Sequence, residues 1–242
     1  MKKKSLLTLF GFILICMIVN TIYYKNNKPV KVEISDNTVT VSDVLDEKEY
    51  SEKIISDLRE TYNNDEIVGY LRIPDTDLKV PVTQSGDNSK YLSRGLDGKY
   101  DKQGNPFLDY RVDINKSDKL LIYGHNSTKY TAPFKILENY YDKSYYDGHK
   151  YIELVTDSNI FRYKIFSVYV EPEDWSYMGI YYKNDSVRLK ELKKYKSKSF
   201  YDTGVDISAS DNILILQTCS YKEEYSKYNK KYLLVISRRV DK

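Results

Sequence analysis

The segment NILILQTC, residues 212–219, decides the fold, because its apolar run is short, unbroken and ends on a cysteine. A run of this length is typical of a buried β-strand that leads into a polar loop. A second segment of the same kind, KLLIYGH at residues 119–125, ends on a histidine. Each predicted strand therefore presents one reactive side chain at the point where the strand runs out.

Further short strands are predicted on both sides of these two segments. The full set covers residues 67–73, 78–82, 119–123, 151–156, 160–170, 212–218 and 232–237. Pro74 ends the first strand, and residues 157–159 form the turn of a hairpin. The chain also contains 26 tyrosines, a residue type that favours half-buried strand surfaces. Many short strands with few helices predict a β-barrel or a β-sandwich.

Two helices are predicted, because apolar residues recur at helical spacing within residues 43–62 and again within residues 185–196. The second helix carries lysines on its opposite side. Those lysines could bind an acidic partner, but a solvated surface is the simpler interpretation.

The N-terminus predicts a membrane anchor. Residues 5–24 contain no charged residue, and lysines at residues 2–4 precede them. Roughly 20 helical residues span the ~30 Å hydrocarbon layer, and basic residues before such a segment remain in the cytoplasm. The alternative is a cleaved signal peptide, which needs a cleavage site of small residues. Residues 23–28, YYKNNK, offer none.

We therefore expect a single-pass protein of the cell membrane with a cytoplasmic N-terminus. Residues 1–25 are predicted as the cytoplasmic tip and transmembrane signal anchor, and residues 26–42 as a linker. Residues 43–242 are predicted as the extracellular folded domain.

The charge and the cysteine content exclude several classes of function. Lys and Arg number 38 and Asp and Glu 35, and three of the lysines precede the apolar segment, so the remainder is neutral. We expect no nucleic-acid partner, because such proteins usually show a basic excess. Two histidines and one cysteine outside the apolar segment do not have the spacing of a zinc site. We expect no metal and no cofactor.

Cys219 and His125 are the candidate catalytic residues. The other cysteine, Cys16, lies in the apolar segment, so the folded domain has no internal disulfide. A single thiol in an exported protein indicates a reactive group or intermolecular pairing. A cysteine beside a histidine can become a usable nucleophile, but an inert buried cysteine and a structural histidine are the alternatives. His149 is predicted as a turn residue.

The sequence resembles the sortases, and within them class B, over about residues 45–240. The matching segments, in family order, are DEIVGYLRIP (65–74), VPVTQ (80–84), NPFLDYR (105–111), YGHN (123–126) and LQTC (216–219). Each segment alone is weak, but the ordered set, with histidine before cysteine, is specific. The resemblance implies a mainly β protein with an eight-stranded barrel, an N-terminal helix and a helix before the penultimate strand. Residues 43–242 would then be the catalytic domain.

The resemblance also implies an activity. Cys219 would attack the Thr carbonyl of a sorting signal near the C-terminus of a surface protein, and His125 would protonate the leaving amine. An amino group of a peptidoglycan precursor or cross-bridge would then resolve the thioester. Asn126, Thr218 and Tyr221 are predicted substrate-binding residues.

One position departs from the family. Sortases place an arginine at the start of the last strand, where it stabilises the oxyanion, and here that position falls on Tyr232. Arg238 lies six residues further on, about 20 Å along a strand. Lys230, Lys231 and Tyr232 are therefore the candidate oxyanion donors.

Two other functions remain open on the sequence alone. One is an extracellular thiol peptidase or cell-wall hydrolase of the papain-like kind, which usually presents its cysteine before its histidine and on a helix. The other is a non-catalytic surface binding protein.

Overall fold

The computed structural model describes residues 41–240, with side chains described from residue 47 onward. The strands in this part of the chain are β1 (Ile67–Arg72), β2 (Lys79–Thr83), β3 (Phe107–Leu108), β4 (Lys119–Tyr123), β5 (Tyr151–Val155), β6 (Ile160–Glu171), β7 (Ile213–Cys219) and β8 (Tyr232–Arg239). The α-helices are α1 (Val41–Tyr62), α2 (Lys143–Gly148) and α3 (Asp185–Lys198). Short 3₁₀ turns cover Lys90–Leu92, Lys135–Tyr141, Trp175–Met178 and Glu223–Tyr225.

Within residues 41–240, the strands close into one barrel in the order β1-β2-β3-β4-β7-β8-β6-β5. The pairs β2–β3 and β4–β7 are parallel, and the other pairs are antiparallel. The predicted eight-stranded, mainly β barrel is therefore confirmed. The parallel pair β4–β7 places the ends of these two strands at the same edge, which is where the candidate residues follow.

Both faces of β7 are buried, which explains its unbroken apolar run. Leu214 and Leu216 point into the barrel, where they join side chains from the other strands in one core cluster. Ile213 and Ile215 point outward into a second cluster that contains Leu192 of α3. A strand that is covered on both faces has no solvent side and therefore needs no polar alternation.

A buried lysine holds α3 against the outer face of the barrel. The side chain of Lys119, on β4, is 0% exposed, and its Nζ lies 3.0 Å from Glu191 Oε1. The same Nζ donates to the hydroxyl of Tyr195 at 3.0 Å. An unpaired ammonium at this depth would cost several kcal/mol, so the pair fixes the helix to the strand that leads to His125.

Two elements differ from the sequence prediction. Helix α1 begins at Val41, inside the last residues of the predicted linker. Strand β3 lies in a region that we predicted as loop, and it has only two residues. A two-residue strand has no measurable alternation, so its pairing with Tyr123 and Ile122 of β4 could be found only in three dimensions.

The prediction of a single-pass membrane protein is corrected by the structure. Among residues 41–240, no helix is long and apolar enough to cross a bilayer. Helix α1 has 22 residues, but charged side chains occur along its whole length. The predicted anchor within residues 1–25 and the predicted linker up to residue 40 lie outside the described residues. Membrane localisation and the membrane as a partner are therefore withdrawn.

Candidate active site

The parallel strands β4 and β7 bring His125 and Cys219 to the same edge of the barrel. Tyr123 and Gln217 are register partners, and His125 and Cys219 each follow two residues later. Because side chains two residues apart share a face of a strand, both residues continue the outer face to which Tyr123 belongs. The sequence prediction that these two strand ends meet at one rim therefore agrees with the register.

On the other side of β7, Cys219 faces Tyr232, the first residue of β8. The backbone N–H of Ser220 donates to the carbonyl of Lys231 at 3.0 Å. This bond makes Cys219 and Tyr232 a non-hydrogen-bonded pair, the type in which opposite side chains lie closest. His125, Cys219 and Tyr232 thus form one row across three neighbouring strands, which we call the active-site row.

The active-site row is bounded by an aromatic wall behind Tyr232. The ring of Trp175 meets the ring of Tyr232 edge to face, with centroids 5.3 Å apart. Trp175 belongs to the 3₁₀ turn Trp175–Met178, in which the hydroxyl of Tyr177 donates to Gln217 Oε1 at 2.7 Å. The turn is therefore tied directly to β7, two residues before the thiol.

The Cys219 thiol experiences two opposing effects. It is half-buried, and burial raises its pKa, while the positive charge of Lys231 acts in the opposite direction. Nζ of Lys231 donates one hydrogen bond to the carbonyl of Tyr228 at 3.0 Å, which leaves two of its three N–H donors for other partners. Lys230 is exposed. Of the two predicted lysines, Lys231 is thus the one whose charge reaches the thiol.

His125 is oriented by a backbone carbonyl from another loop. Its Nε2 lies 2.8 Å from the carbonyl oxygen of Leu92. A carbonyl oxygen only accepts hydrogen bonds, so Nε2 carries a proton. In the neutral ring Nδ1 is then the free base, and it is the atom available for proton exchange. Leu92 was not predicted as part of the site, because a backbone carbonyl has no sequence signal.

The predicted substrate-binding residues fall into two groups. Asn126 and Thr218 are 3% and 1% exposed, and their side chains bond to the chain itself. Asn126 Nδ2 donates to the carbonyl of Cys219 at 2.9 Å, and Thr218 Oγ1 donates to the carbonyl of Gly124 at 2.8 Å. Tyr221 is 47% exposed, and its hydroxyl donates to the Asn126 carbonyl at 3.3 Å. Contact with substrate stays a prediction for all three, and Tyr221 has the accessible surface for it.

Gly124 is required by a close approach beside His125. A Cβ at this position would lie 2.5 Å from Cδ2 of the Phe134 ring. The backbone N–H of Phe134 also donates to the His125 carbonyl at 3.0 Å. The loop after β4 is therefore packed tightly enough to hold the histidine in place.

The remaining histidine is structural in its contacts. His149 stacks on the ring of Tyr145 with centroids 4.2 Å apart, and its Nδ1 lies 2.9 Å from the Tyr145 carbonyl. Within the described residues, no group of three or more His, Cys, Asp or Glu side chains could hold a metal ion.

Comparison with known proteins assigns the family. A family model described as the sortase domain matches residues 71–239. Sortase B of Staphylococcus aureus (strain NCTC 8325 / PS 47) is 30% identical over 173 residues, which cover 71% of this chain and 70% of that protein. Sortase B of Listeria monocytogenes serovar 1/2a is 32% identical over 165 residues, with 68% and 67% covered.

A solved structure gives the same result. The Staphylococcus aureus sortase B–substrate complex superposes with a TM-score of 0.68 at 25% identity, covering 80% of this chain and 93% of that one. The family model covers more than half of the chain, and both relatives match at least two thirds of it. The chain therefore belongs to the sortase family, and within it to class B.

Proposed function

We propose that this protein is a cysteine transpeptidase that cleaves a C-terminal sorting signal after Thr and transfers the surface protein to a peptidoglycan amine. The observation that carries the proposal is the active-site row, in which His125 and Cys219 follow register-paired strand ends. The structure of the Staphylococcus aureus relative with its substrate supports a peptide as the partner. We place the catalytic domain at residues 43–242.

The first chemical step forms the thioester. The sulfur of Cys219 attacks the Thr carbonyl carbon, and the C–N bond of the scissile peptide breaks. Because burial raises the pKa of the thiol, the sulfur needs a base close by at neutral pH. Nδ1 of His125 is the free ring nitrogen, so it takes the thiol proton and delivers it to the leaving amine.

The oxyanion of each tetrahedral intermediate needs a donor, and we assign this role to Lys231. The backbone N–H of Ser220, the donor next to the nucleophile, is already bonded to the Lys231 carbonyl. The charge of Lys231 acts on the sulfur and retains two free N–H donors. Tyr232 faces Cys219 across the strand pair and offers a neutral second donor. Lysine does not reproduce the forked guanidinium of arginine, so we expect a slower enzyme than an arginine-bearing relative.

The second step regenerates the enzyme. An amino group of a peptidoglycan precursor or cross-bridge attacks the thioester carbonyl, a new amide bond forms, and the thiolate of Cys219 leaves. If water replaced the amine, the protein would be a thiol peptidase. The order of His125 before Cys219, and the position of Cys219 on a strand end, favour the sortase reaction over a papain-like one.

The acceptor decides between these two functions, so the test varies the acceptor. Quenched peptides from a library with Thr at the cleaved bond are incubated with the protein, with and without a peptidoglycan-type amine. We expect the amine to accelerate release of the leaving peptide and to appear in an amide-linked product. Release that is insensitive to amine and gives only the free acid would establish a peptidase. No release from any peptide, with an unreactive Cys219, would favour a binding protein.

A further inference from the structure

One buried carboxylate outside the active-site row receives hydrogen bonds from three separate parts of the chain. Asp109 follows β3, and its side chain is 0% exposed. It accepts from the Tyr123 hydroxyl at 2.7 Å and from Asn88 Nδ2 at 3.0 Å. It also accepts from Arg111 Nε at 2.8 Å, Arg111 Nη2 at 2.7 Å and the Arg111 backbone N–H at 3.0 Å.

Two of these bonds lead to His125. Tyr123 is the last residue of β4 and precedes His125 by two residues, so its hydroxyl fixes the strand that carries the ring. Asn88 begins the segment that ends in the turn Lys90–Leu92, whose Leu92 carbonyl accepts from Nε2 of His125. The side chain of Asn88 has no freedom of its own, because its Oδ1 also accepts from the Tyr110 N–H at 3.0 Å. Asp109 therefore holds both the histidine and the group that orients it.

The third bond leads to the opposite side of the active-site row. Nη2 of Arg111 donates to the carbonyl of Met178 at 2.9 Å, as well as to Asp109. Met178 ends the 3₁₀ turn whose Trp175 meets Tyr232. Through Arg111, the same carboxylate fixes the aromatic wall that backs the residue facing Cys219.

Asp109 remains charged in this setting. Burial acts to raise its pKa, but the hydrogen bonds from Arg111 and Tyr123 outweigh burial and lower the pKa to about 2. A charged carboxylate makes stronger and shorter hydrogen bonds than a neutral group. A fully satisfied buried network of this kind has one geometry, so it is suited to holding loops in fixed relative positions.

We infer that Asp109 is a positioning residue of the active site, which sets the Leu92 carbonyl, the β4 end and the Trp175 turn around His125 and Cys219. Nothing in the proposed chemistry requires this carboxylate to touch the substrate. The inference rests on the proposed function only for its effect on turnover. Its effect on the ring of His125 can be measured without any substrate.

The test uses Asp109→Asn, which keeps the shape but presents an NH₂ to donors that need an acceptor. Misplacing a catalytic group by about 1 Å can cost 10²-fold in rate. We therefore expect kcat to fall by about 10²-fold, with KM changed less than about threefold. A matched control is Glu153→Gln, which breaks a carboxylate–arginine pair on β5, away from the active-site row. That variant should retain wild-type turnover per folded molecule.

A spectroscopic readout separates positioning from loss of stability. Nitrogen-edited NMR of the neutral imidazoles reports which ring nitrogen carries the proton. In the wild type His125 should be the Nε2–H tautomer, and His149, whose Nδ1 is bonded to Tyr145, should be the Nδ1–H tautomer. In Asp109→Asn the His125 signal should become a mixture of tautomers, while the His149 signal stays unchanged as an internal control.

Folded Asp109→Asn with wild-type kcat overturns the inference, and so does a loss of turnover with the His125 tautomer unchanged. If Asp109→Asn does not fold, Tyr123→Phe provides the test, because it removes one donor and leaves the Arg111 pair intact. We then expect kcat to fall several-fold with a detectable second tautomer of His125. Wild-type behaviour of Tyr123→Phe in both measurements overturns the inference. If the wild type cleaves no peptide, the proposed function fails, and the tautomer measurement still decides the role of Asp109.

Discussion

Two rows of three residues cross the barrel wall in different places, and their polar groups are satisfied to different degrees. The first, which we call the charge row, consists of Arg72 on β1, Glu153 on β5 and Arg162 on β6, which are register partners. Glu153 pairs with Arg72, and its Oε1 lies 3.5 Å from Arg162 Nε. Arg162 also pairs with Glu47 of α1. Each charge in this row has a partner of opposite sign.

The active-site row has no such balance. Burial raises the pKa of Cys219, and the charge of Lys231 only opposes that effect. His125 has a backbone carbonyl as the partner of Nε2, which leaves Nδ1 as a base. The charge row uses its polar groups for stability. The active-site row leaves a nucleophile and a base without a fixed mutual bond, so both are available to a substrate.

The largest expected difference between the rows is in turnover. Cys219→Ala should abolish peptide cleavage, because Cys219 is the only free cysteine in the described part of the chain and no other group there can form the thioester. Steady-state release from the preferred peptide measures this. Cleavage by Cys219→Ala at more than background level would contradict the assignment.

A smaller loss is expected from the cation beside the thiol. Lys231→Met should lower kcat by about 10²–10³-fold, the usual effect of losing one oxyanion donor. It should also move the pH profile of iodoacetamide alkylation to higher pH, because the cation lowers the thiol pKa and its removal raises it. Lys230→Met is the matched control and should change neither quantity. Equal effects of the two substitutions would remove Lys231 from the site, and a loss in Tyr232→Phe instead would assign the donor to Tyr232.

Packing beside His125 should produce an intermediate effect. Gly124→Ala places a methyl group against the Phe134 ring, so we expect a loss of about 1–3 kcal/mol of unfolding free energy and about a tenfold fall in kcat. The control is Gly148→Ala, where nothing lies within 4 Å of the added Cβ. Denaturant unfolding and turnover of both variants check this, and a Gly124→Ala protein as stable and active as Gly148→Ala would disprove the close approach.

The smallest effect on turnover is expected from the charge row. Glu153→Gln removes the carboxylate shared by Arg72 and Arg162, and we expect a loss of about 1–2 kcal/mol of stability because the pairs are only partly buried. Thermal unfolding measures the loss, and turnover at 25 °C should match the wild type. A fall in kcat at full folding would show that the two rows are coupled.

The regular elements could be predicted from the sequence, since their signal is local. The apolar runs of β4 and β7 and the helical spacing of α3 were recognised within a residue or two of their observed ends. The resemblance supplied the barrel, and the matching strand ends brought His125 to Cys219. The membrane anchor was predicted from an apolar segment alone, and no helix in the described part of the chain is suited to cross a bilayer.

The supports of the site could not be predicted, because each depends on contacts between distant loops. The Leu92 carbonyl reaches His125 from 33 residues away in sequence, and a backbone group has no side-chain signature. Asp109 was noted only as part of a family segment, and its bond to Asn88 spans 21 residues. Choosing Lys231 over Lys230 required the β7–β8 register, since the two lysines are adjacent in sequence.

The central claim is that Cys219 carries the acyl group between donor peptide and acceptor amine. Intact-protein mass spectrometry of the wild type, mixed with the preferred peptide in the absence of amine, measures this directly. We predict a covalent adduct with the mass of the peptide up to and including its Thr, mapped to Cys219 and discharged when the amine is added. Turnover without any adduct under rapid acid quenching, or an adduct that persists in Cys219→Ala, would contradict the account.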